Sequence, residues 1–529
     1  MYCDKLFKQA IVSSNKPIVQ TTKGKVAGIE KNGSYIFRGV KYAKARRFHM
    51  PEIIEKWNGV KAAVSYGYVC PEMITPVPTD ALFNPHYYMP QDEDCQYLNI
   101  WTKHIEKDAK RPVMVWMHGG GWTSGSSVEQ VAYDGEELSK YGDVVVVSFN
   151  HRHNCLGGLD LSDYGDNYEM SAYCSLGDII MLLKWVHDNI YAFGGDPDNV
   201  MLFGQSGGVA KILYVMQCPE ADGLYSKVAI DSGGIKEQII PEGWSKKSMA
   251  RRLAALTVAN LGLNKKTIKM IEDVPYWELA DAVMKAEGVL RKESGLCQPY
   301  RWEPIEDGKY VIGSTLRNGF RRETINIPML IGNVFGEANS NIIEKNLIAD
   351  GNKNKWDLEL AIKYINEKFG NKSDRIIEEF RKVYPENKVQ DVLFMDYEER
   401  NGQLEFVKHR VELGAEVWNW LFKKESSING GSVAWHCSEI PYIFHNTSFI
   451  PSAYDPGVSE KLEEIMCTAW ITFAKKGNPN DGKIVPTWEK VSADYIPTMI
   501  FDKECSVRLN HDEKLRQILQ EKENGKWEN

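Results

Sequence analysis

The sequence predicts an α/β protein: a central, mostly parallel sheet covered by helices, with an N-terminal β-ribbon and large helical insertions. Three observations predict it. The apolar runs at residues 96–101, 112–117, 144–149, 200–203 and 228–230 are continuous rather than alternating, which suits strands buried on both faces. Residues 176–190 have helical spacing and stop at Phe193-Gly194-Gly195-Asp196-Pro197, where glycine and proline end a helix, so strand, helix and strand follow in order. Over its 529 residues the chain has no internal repeat, low-complexity tract or linker rich in Gly and Ser. A single domain over 1–529 is therefore expected rather than tethered ones.

The elements follow in order. Residues 17–42 read as an antiparallel ribbon punctuated by Lys23-Gly24 and Asn32-Gly33, the second a strong hairpin signal. An aromatic and proline-rich loop covers 66–94, and the strand and helix alternation begins after it. Residues 244–293 are helical and charged, 327–331 form a further strand candidate, and helices are expected from 356 to 424. The helical insertions are placed at about 243–325 and 345–425.

Composition narrows the function. Apolar residues are 43% and charged residues 26%, a folded globular balance, and the net charge of −8 comes without a long basic run. Nucleic acid and anionic membranes need clustered Lys and Arg, so a small neutral ligand is favoured. No apolar run approaches the roughly 20 residues that span a bilayer. The first twenty residues carry Lys5, Lys8 and Lys16 and lack a signal-peptide core. The expected location is cytoplasmic, or secreted if a leader was trimmed. Ten cysteines without a Cys-x-x-Cys pair suit reduced thiols better than a disulfide scaffold or zinc site.

The chemistry begins at Gly204-Gln205-Ser206-Gly207-Gly208, a Gly-x-Ser-x-Gly sequence between the strand at 200–203 and a helical pattern at 209–217. In that context the glycines permit a strained turn that lifts the Ser206 hydroxyl out of the sheet as a nucleophile; without it the motif is an ordinary Gly-rich turn. His118-Gly119-Gly120-Gly121-Trp122 follows the strand at 112–117, and its side-chain-free amides suit a developing oxyanion. A dinucleotide cradle would need a third glycine where Ser124 stands.

With these two elements the chain resembles the type-B carboxylesterase family, which includes carboxylesterases, cholinesterases and bacterial para-nitrobenzyl esterases. Further similar stretches are Phe37-Arg38-Gly39-Val40-Lys41-Tyr42-Ala43, Glu93-Asp94-Cys95-Gln96-Tyr97-Leu98-Asn99-Ile100-Trp101, Ala229-Ile230-Asp231-Ser232-Gly233-Gly234 and residues 470–480, so the resemblance covers nearly the whole length. It implies an α/β-hydrolase fold. The acid of a triad should follow in chain order, and Gly332-Asn333-Val334-Phe335-Gly336-Glu337 resembles the segment that supplies it, which implicates Glu337. The base must follow in turn, leaving His409, His436, His445 and His511. The stretch around Trp435-His436-Cys437 resembles the family's histidine segment, with His445 in reserve, while His409 and His511 read as solvated surface residues.

By the same resemblance the oxyanion donors are the amides of Gly120, Gly121 and Gly207, Ser232 matches a supporting serine, and Arg47 with Glu93 a structural ion pair. Cys70 and Cys95 match a family disulfide, although reduced thiols are expected here. The substrate pocket is expected at Trp122, Gln205, Phe83, Tyr87 and Tyr88. The family usually has Glu and Ala around the nucleophile where this chain has Gln205 and Gly207, and cholinesterases place a Trp in the 70–95 loop, which has none.

The reading is a serine carboxylesterase for neutral short- to medium-acyl or aryl esters, without cofactor or metal, acting on a small-molecule ester and not on nucleic acid or membrane. The alternatives are a non-catalytic binding or adhesion protein on the same fold, or an amidase or carbamate hydrolase with the same triad. His151-Arg152-His153-Asn154-Cys155 resembles a metal cluster but lacks the Asp-His continuation of metallohydrolases, so a structural strand end is expected there.

Overall fold

A computed structural model describes residues 17–73, 86–233, 238–316, 319–337 and 352–521. The chain divides into two compact units, the first formed by residues 1–230 and 236–327, the second by residues 231–235 and 328–529.

In the first unit the strands that bear on the site are β1 (Ile29–Lys31), β2 (Ser34–Lys41), β3 (Tyr97–Thr102), β4 (Arg111–Met117), β5 (Val145–Phe149), β6 (Gly195–Gln205) and β7 (Lys227–Asp231), in spatial order β7-β6-β4-β5-β3-β2-β1. β6, β4 and β5 run parallel, while β3, β2 and β1 are antiparallel additions at one edge. The parallel strands are those with unbroken apolar runs: Val113–Met117 and Val145–Phe149 are wholly buried. The Asn32-Gly33 turn has φ of 53° and 78°, the left-handed pair that a two-residue hairpin needs. Ile18–Gln20 and Lys25–Ala27 pair antiparallel, as the ribbon predicts, but join a separate three-stranded sheet through Val60–Ala62.

Helix α1 (Cys174–Asn189) follows, and the left-handed Gly194 caps the short turn after it. Helix α2 (Gly207–Met216) leaves β6 directly, and the helical region at 244–293 resolves into α3 (Lys246–Asn260) and α4 (Tyr276–Ser294). Asp178 of α1 accepts from Arg152 at 2.7 and 2.9 Å, a buried fork that ties α1 to the end of β5.

In the second unit β8 (Met329–Val334), β9 (Val417–Phe422) and β10 (Pro497–Phe501) run parallel, and β11 (Ser506–Leu509) closes the edge antiparallel. The sequence expectation of helices alone from 356 to 424 is corrected at one element. Helices α5 (Leu358–Phe369), α6 (Ser373–Val383) and α7 (Glu398–Glu412) are present, but Val417-Trp418-Asn419-Trp420-Leu421-Phe422 is a wholly buried strand. Six residues that are buried on both faces carry no period, so neighbouring helices lent them a helical reading. Gly332 of β8 makes room for Trp420, since a Cβ there would lie 2.0 Å from the indole. Among the described residues no helix is long and apolar enough to cross a membrane.

Candidate active site

The parallel register of β4 and β6 sets Gly204 beside Met117, so the segments after these strands, His118–Gly121 and Gln205–Gly207, leave the sheet side by side at its carboxyl edge. Ser206 then takes φ 56° and ψ −119°, a backbone that a side-chain-bearing residue adopts only under constraint. The constraint is steric. A Cβ on Gly208 would lie 2.0 Å from the Met117 carbonyl oxygen and one on Gly204 2.8 Å from it, so the chain doubles back against the end of β4 at a distance only glycine allows.

Three peptide groups beside Ser206 have their directions fixed. In a trans peptide the C=O and N–H point opposite ways, so anchoring the oxygen aims the amide. The Gly120 carbonyl accepts the N–H groups of Thr123 and Ser124, both at 3.1 Å, and thereby aims the Gly121 amide. The Ser206 carbonyl accepts the Val209 N–H at 3.0 Å, aiming the Gly207 amide. The Gly119 carbonyl lies 3.0 Å from His118 Nδ1 and 3.2 Å from Lys211 Nζ, aiming the Gly120 amide. Gly120 and Gly121 have φ of 80° and 62°, and a Cβ on Gly120 would meet the Ser124 oxygen at 2.3 Å. Gly207 is held in the same way: its Cβ would lie 2.1 Å from the Gly121 nitrogen, so α2 begins in main-chain contact with this loop.

In the second unit β8 delivers Glu337 past its carboxyl end at φ 36°. Glu337 Oε1 accepts the Val334 N–H at 3.0 Å, and Oε2 lies 2.6 Å from His436 Nδ1. The Glu337 carbonyl also accepts the His436 N–H at 2.8 Å. Burial opposes a charged imidazole, but the hydrogen bond and charge of Glu337, with Glu399 adding to them, outweigh it and raise the His436 pKa above the ordinary histidine value. Ser232 lies in this unit, buried at φ 52°, its N–H on the Gly332 carbonyl at 2.9 Å.

The reserve histidine, His445, has its Nδ1 2.6 Å from Glu463, an acid other than Glu337. His409 is exposed as expected, but His511 is buried edge-on against Tyr384, 5.0 Å between ring centres, which corrects its reading as a surface residue. Its place near the chain end suggested solvent, whereas the packing of β11 and α6 decides otherwise. Of the expected pocket residues, Trp122 is buried and meets Tyr214 edge-on at 5.6 Å, Gln205 is fully buried, and Tyr87 and Tyr88 are exposed; Phe83 lies outside the described residues. Arg47 Nε donates to Glu93 at 2.8 Å.

His151 and His153 are buried. His151 Nδ1 is 3.0 Å from Ser175 Oγ, and the His151 ring stacks on His118 at 5.1 Å. Among the described residues no group of three His, Cys, Asp or Glu is placed to hold a metal ion. Sequence reasoning missed two features: Lys211, the one charged side chain in the α2 run Gly-Gly-Val-Ala-Lys-Ile-Leu-Tyr-Val-Met, and the buried pair Asp231 and Glu439. The signal for the first was a lysine inside an apolar helix; the second had none.

The comparisons with known proteins agree in direction. Residues 15–522 match the model of the Carboxylesterase family. The chain is 29% identical to a para-nitrobenzyl esterase of Bacillus subtilis over 95% of this chain and 98% of that protein. It is 27% identical to a phenmedipham hydrolase of Pseudarthrobacter oxydans over 90% and 94%. Among solved structures, an esterase from Clostridium hathewayi described as hydrolysing aliphatic aromatic polyesters superposes with a TM-score of 0.88 at 40% identity, covering 97% of this chain and 99% of that one.

Proposed function

The chain belongs to the carboxylesterase family and is a carboxylic ester hydrolase, and from that premise we propose that Ser206, His436 and Glu337 hydrolyse neutral short- to medium-acyl or aryl esters through an acyl-enzyme. Ser206 Oγ attacks the ester carbon while His436 Nε2 takes its proton. The carbonyl oxygen becomes an oxyanion facing the amides of Gly120, Gly121 and Gly207. Collapse breaks the bond to the alcohol, which leaves with the proton from the imidazolium. Water, deprotonated by His436, then attacks the acyl carbon, and the acid departs as Ser206 regains its proton. Glu337 holds Nδ1–H throughout and stabilises the imidazolium.

The observation that carries the reading is the strained Ser206 turn beside three amides whose directions are set by their anchored carbonyls, since aimed donors stabilise charge that develops only in the transition state. The His436–Glu337 pair supports it from the second unit. Ser232 is read as a supporting residue and Trp122, Gln205, Tyr87 and Tyr88 as pocket residues. Gln205 carries no charge beside the nucleophile, which favours uncharged esters over choline esters. The likeness to an esterase described as acting on aliphatic aromatic polyesters supports the same preference.

The test compares kcat/KM for para-nitrophenyl butyrate, methyl ferulate, butyrylthiocholine and an emulsified long-chain triglyceride. The first two are expected to lead. A preference for either of the last two overturns the substrate class.

A further inference from the structure

We infer that Lys211 is a positioning residue for the ester hydrolysis: its side-chain nitrogen, bonded to the carbonyls of His118 and Gly119, sets the direction in which the Gly120 amide points. The inference rests on the reading of the Gly120, Gly121 and Gly207 amides as the oxyanion site.

Lys211 stands on α2 one turn after Gly207, and its side chain is fully buried. Its Nζ donates to the His118 carbonyl at 2.8 Å and to the Gly119 carbonyl at 3.2 Å, with His118 Nδ1 at 3.5 Å. A buried lysine is costly and is ordinarily matched by a carboxylate. Here its hydrogen bonds go to two successive main-chain oxygens, and the charge of Glu129 favours the ammonium form. Stability alone would be served better by an aliphatic residue in this apolar helix face, where Ile212 and Val215 are also buried.

Geometry supplies another role. The Gly119 oxygen and the Gly120 N–H belong to one planar trans peptide, so a donor on the oxygen turns the amide away from α2. The Gly121 amide is aimed by the turn at Thr123 and Ser124, and the Gly207 amide by the first turn of α2. The Gly119–Gly120 peptide has neither device. Flanked by glycine on both sides, it would rotate freely without the donors His118 Nδ1 and Lys211 Nζ. Lys211 therefore ties the loop after β4 to the helix that begins at the nucleophile, where the contact between Gly207 and Gly121 already brings their backbones together.

Burial, opposed by the charge of Glu129, pulls the Lys211 pKa down to about 7. A neutral amine still has N–H groups for both carbonyls, so the positioning does not depend on its charge.

The test uses Lys211→Met and Lys211→Leu, which have no donor, and Lys211→Gln, which keeps one, with active sites counted by organophosphonate titration. For para-nitrophenyl butyrate the two donor-less variants are expected to lose about 10- to 100-fold in kcat with KM within about threefold, because misdirecting one donor costs less than deleting it. Lys211→Gln is expected to recover most of the rate. Affinity for an alkyl trifluoromethyl ketone should fall by the same factor. Ser206 Oγ adds to its carbonyl carbon, the proton passing to His436, and the ketone oxygen becomes the same oxyanion.

A lowered melting temperature with wild-type kcat and ketone affinity per titrated site overturns the inference and leaves Lys211 a structural anchor. Where Ser206→Ala is inactive and the wild type is labelled at Ser206, that failure belongs to the inference alone. Where Ser206→Ala stays active, the reading beneath it fails instead.

Discussion

Glu337 holds His436 at two points, through its carboxylate on Nδ1 at 2.6 Å and through its main-chain carbonyl on the His436 N–H at 2.8 Å. Ring orientation and tautomer are thus set by one residue. Glu337→Gln keeps the backbone hold but replaces the carboxylate, so kcat for para-nitrophenyl butyrate is expected to fall by about a hundred- to ten-thousandfold with KM little changed. A variant within a few-fold of wild type would remove Glu337 from its assigned role.

The same contact sets a pH dependence. The base acts when neutral, and Glu337 raises the His436 pKa above the ordinary histidine value. kcat/KM is therefore expected to rise with pH along a limb whose midpoint lies above about 6.5, and in Glu337→Gln that limb moves to lower pH. A pH profile with the same midpoint in both proteins contradicts the assignment.

Gly207 stands where the family's usual residue is alanine, and here a Cβ at that position would meet the Gly121 nitrogen at 2.1 Å. Gly207→Ala must push the oxyanion loop away from α2. The expected result is a fall in kcat of about a hundredfold and a stability loss of about 1–3 kcal/mol, read from titrated active sites and urea unfolding. An Ala variant as active and stable as wild type would mean that the loop accommodates the methyl group.

Glu439 is fully buried and, like Asp231, meets no hydrogen-bond donor from another residue at either carboxyl oxygen among the described residues. Burial first, then the charges of Asp231 and Glu337, push the Glu439 pKa well above the usual carboxylate range. The folded state keeps a proton that the unfolded chain releases above about pH 4.3, so this group costs increasing stability as pH rises from there. Glu439→Gln removes the cost, and its melting temperature relative to wild type is expected to increase from pH 5 to pH 8. An offset independent of pH would count against a neutral Glu439.

Cys70 and Cys95 are buried free thiols close enough to interact directly, and the His153 N–H points at Cys70 Sγ at 3.4 Å. Both are expected to be alkylated when cells are lysed directly into denaturant containing alkylating agent. Mild peroxide should join them, two thiols giving one disulfide and water. The bridge would close a loop of roughly 25 residues and add about 3 kcal/mol in the chain-entropy model. Mass spectrometry that finds the bridge already formed at lysis would contradict the reduced state.

The parallel strands were legible because burial on both faces leaves an uninterrupted apolar run, and the serine turn because glycines at 204 and 208 are demanded by the Met117 carbonyl. The same absence of period hid β9 among helices. Glu337 and His436 could be named only through resemblance, because no local pattern marks an acid and a base nearly a hundred residues apart. The direction of an amide is likewise invisible in sequence. It depends on which groups hold the carbonyl of the same peptide, and for Gly120 these are His118 Nδ1 and a lysine on another element.

The most direct test of the account is reaction with a fluorophosphonate followed by peptide mass spectrometry, run beside Ser206→Ala. The account predicts one label per chain, on Ser206, with hydrolysis of para-nitrophenyl butyrate lost in step with labelling, and a folded Ser206→Ala that takes no label and retains no esterase activity. Stoichiometric labelling of a different serine, or esterase activity persisting in Ser206→Ala, would contradict it.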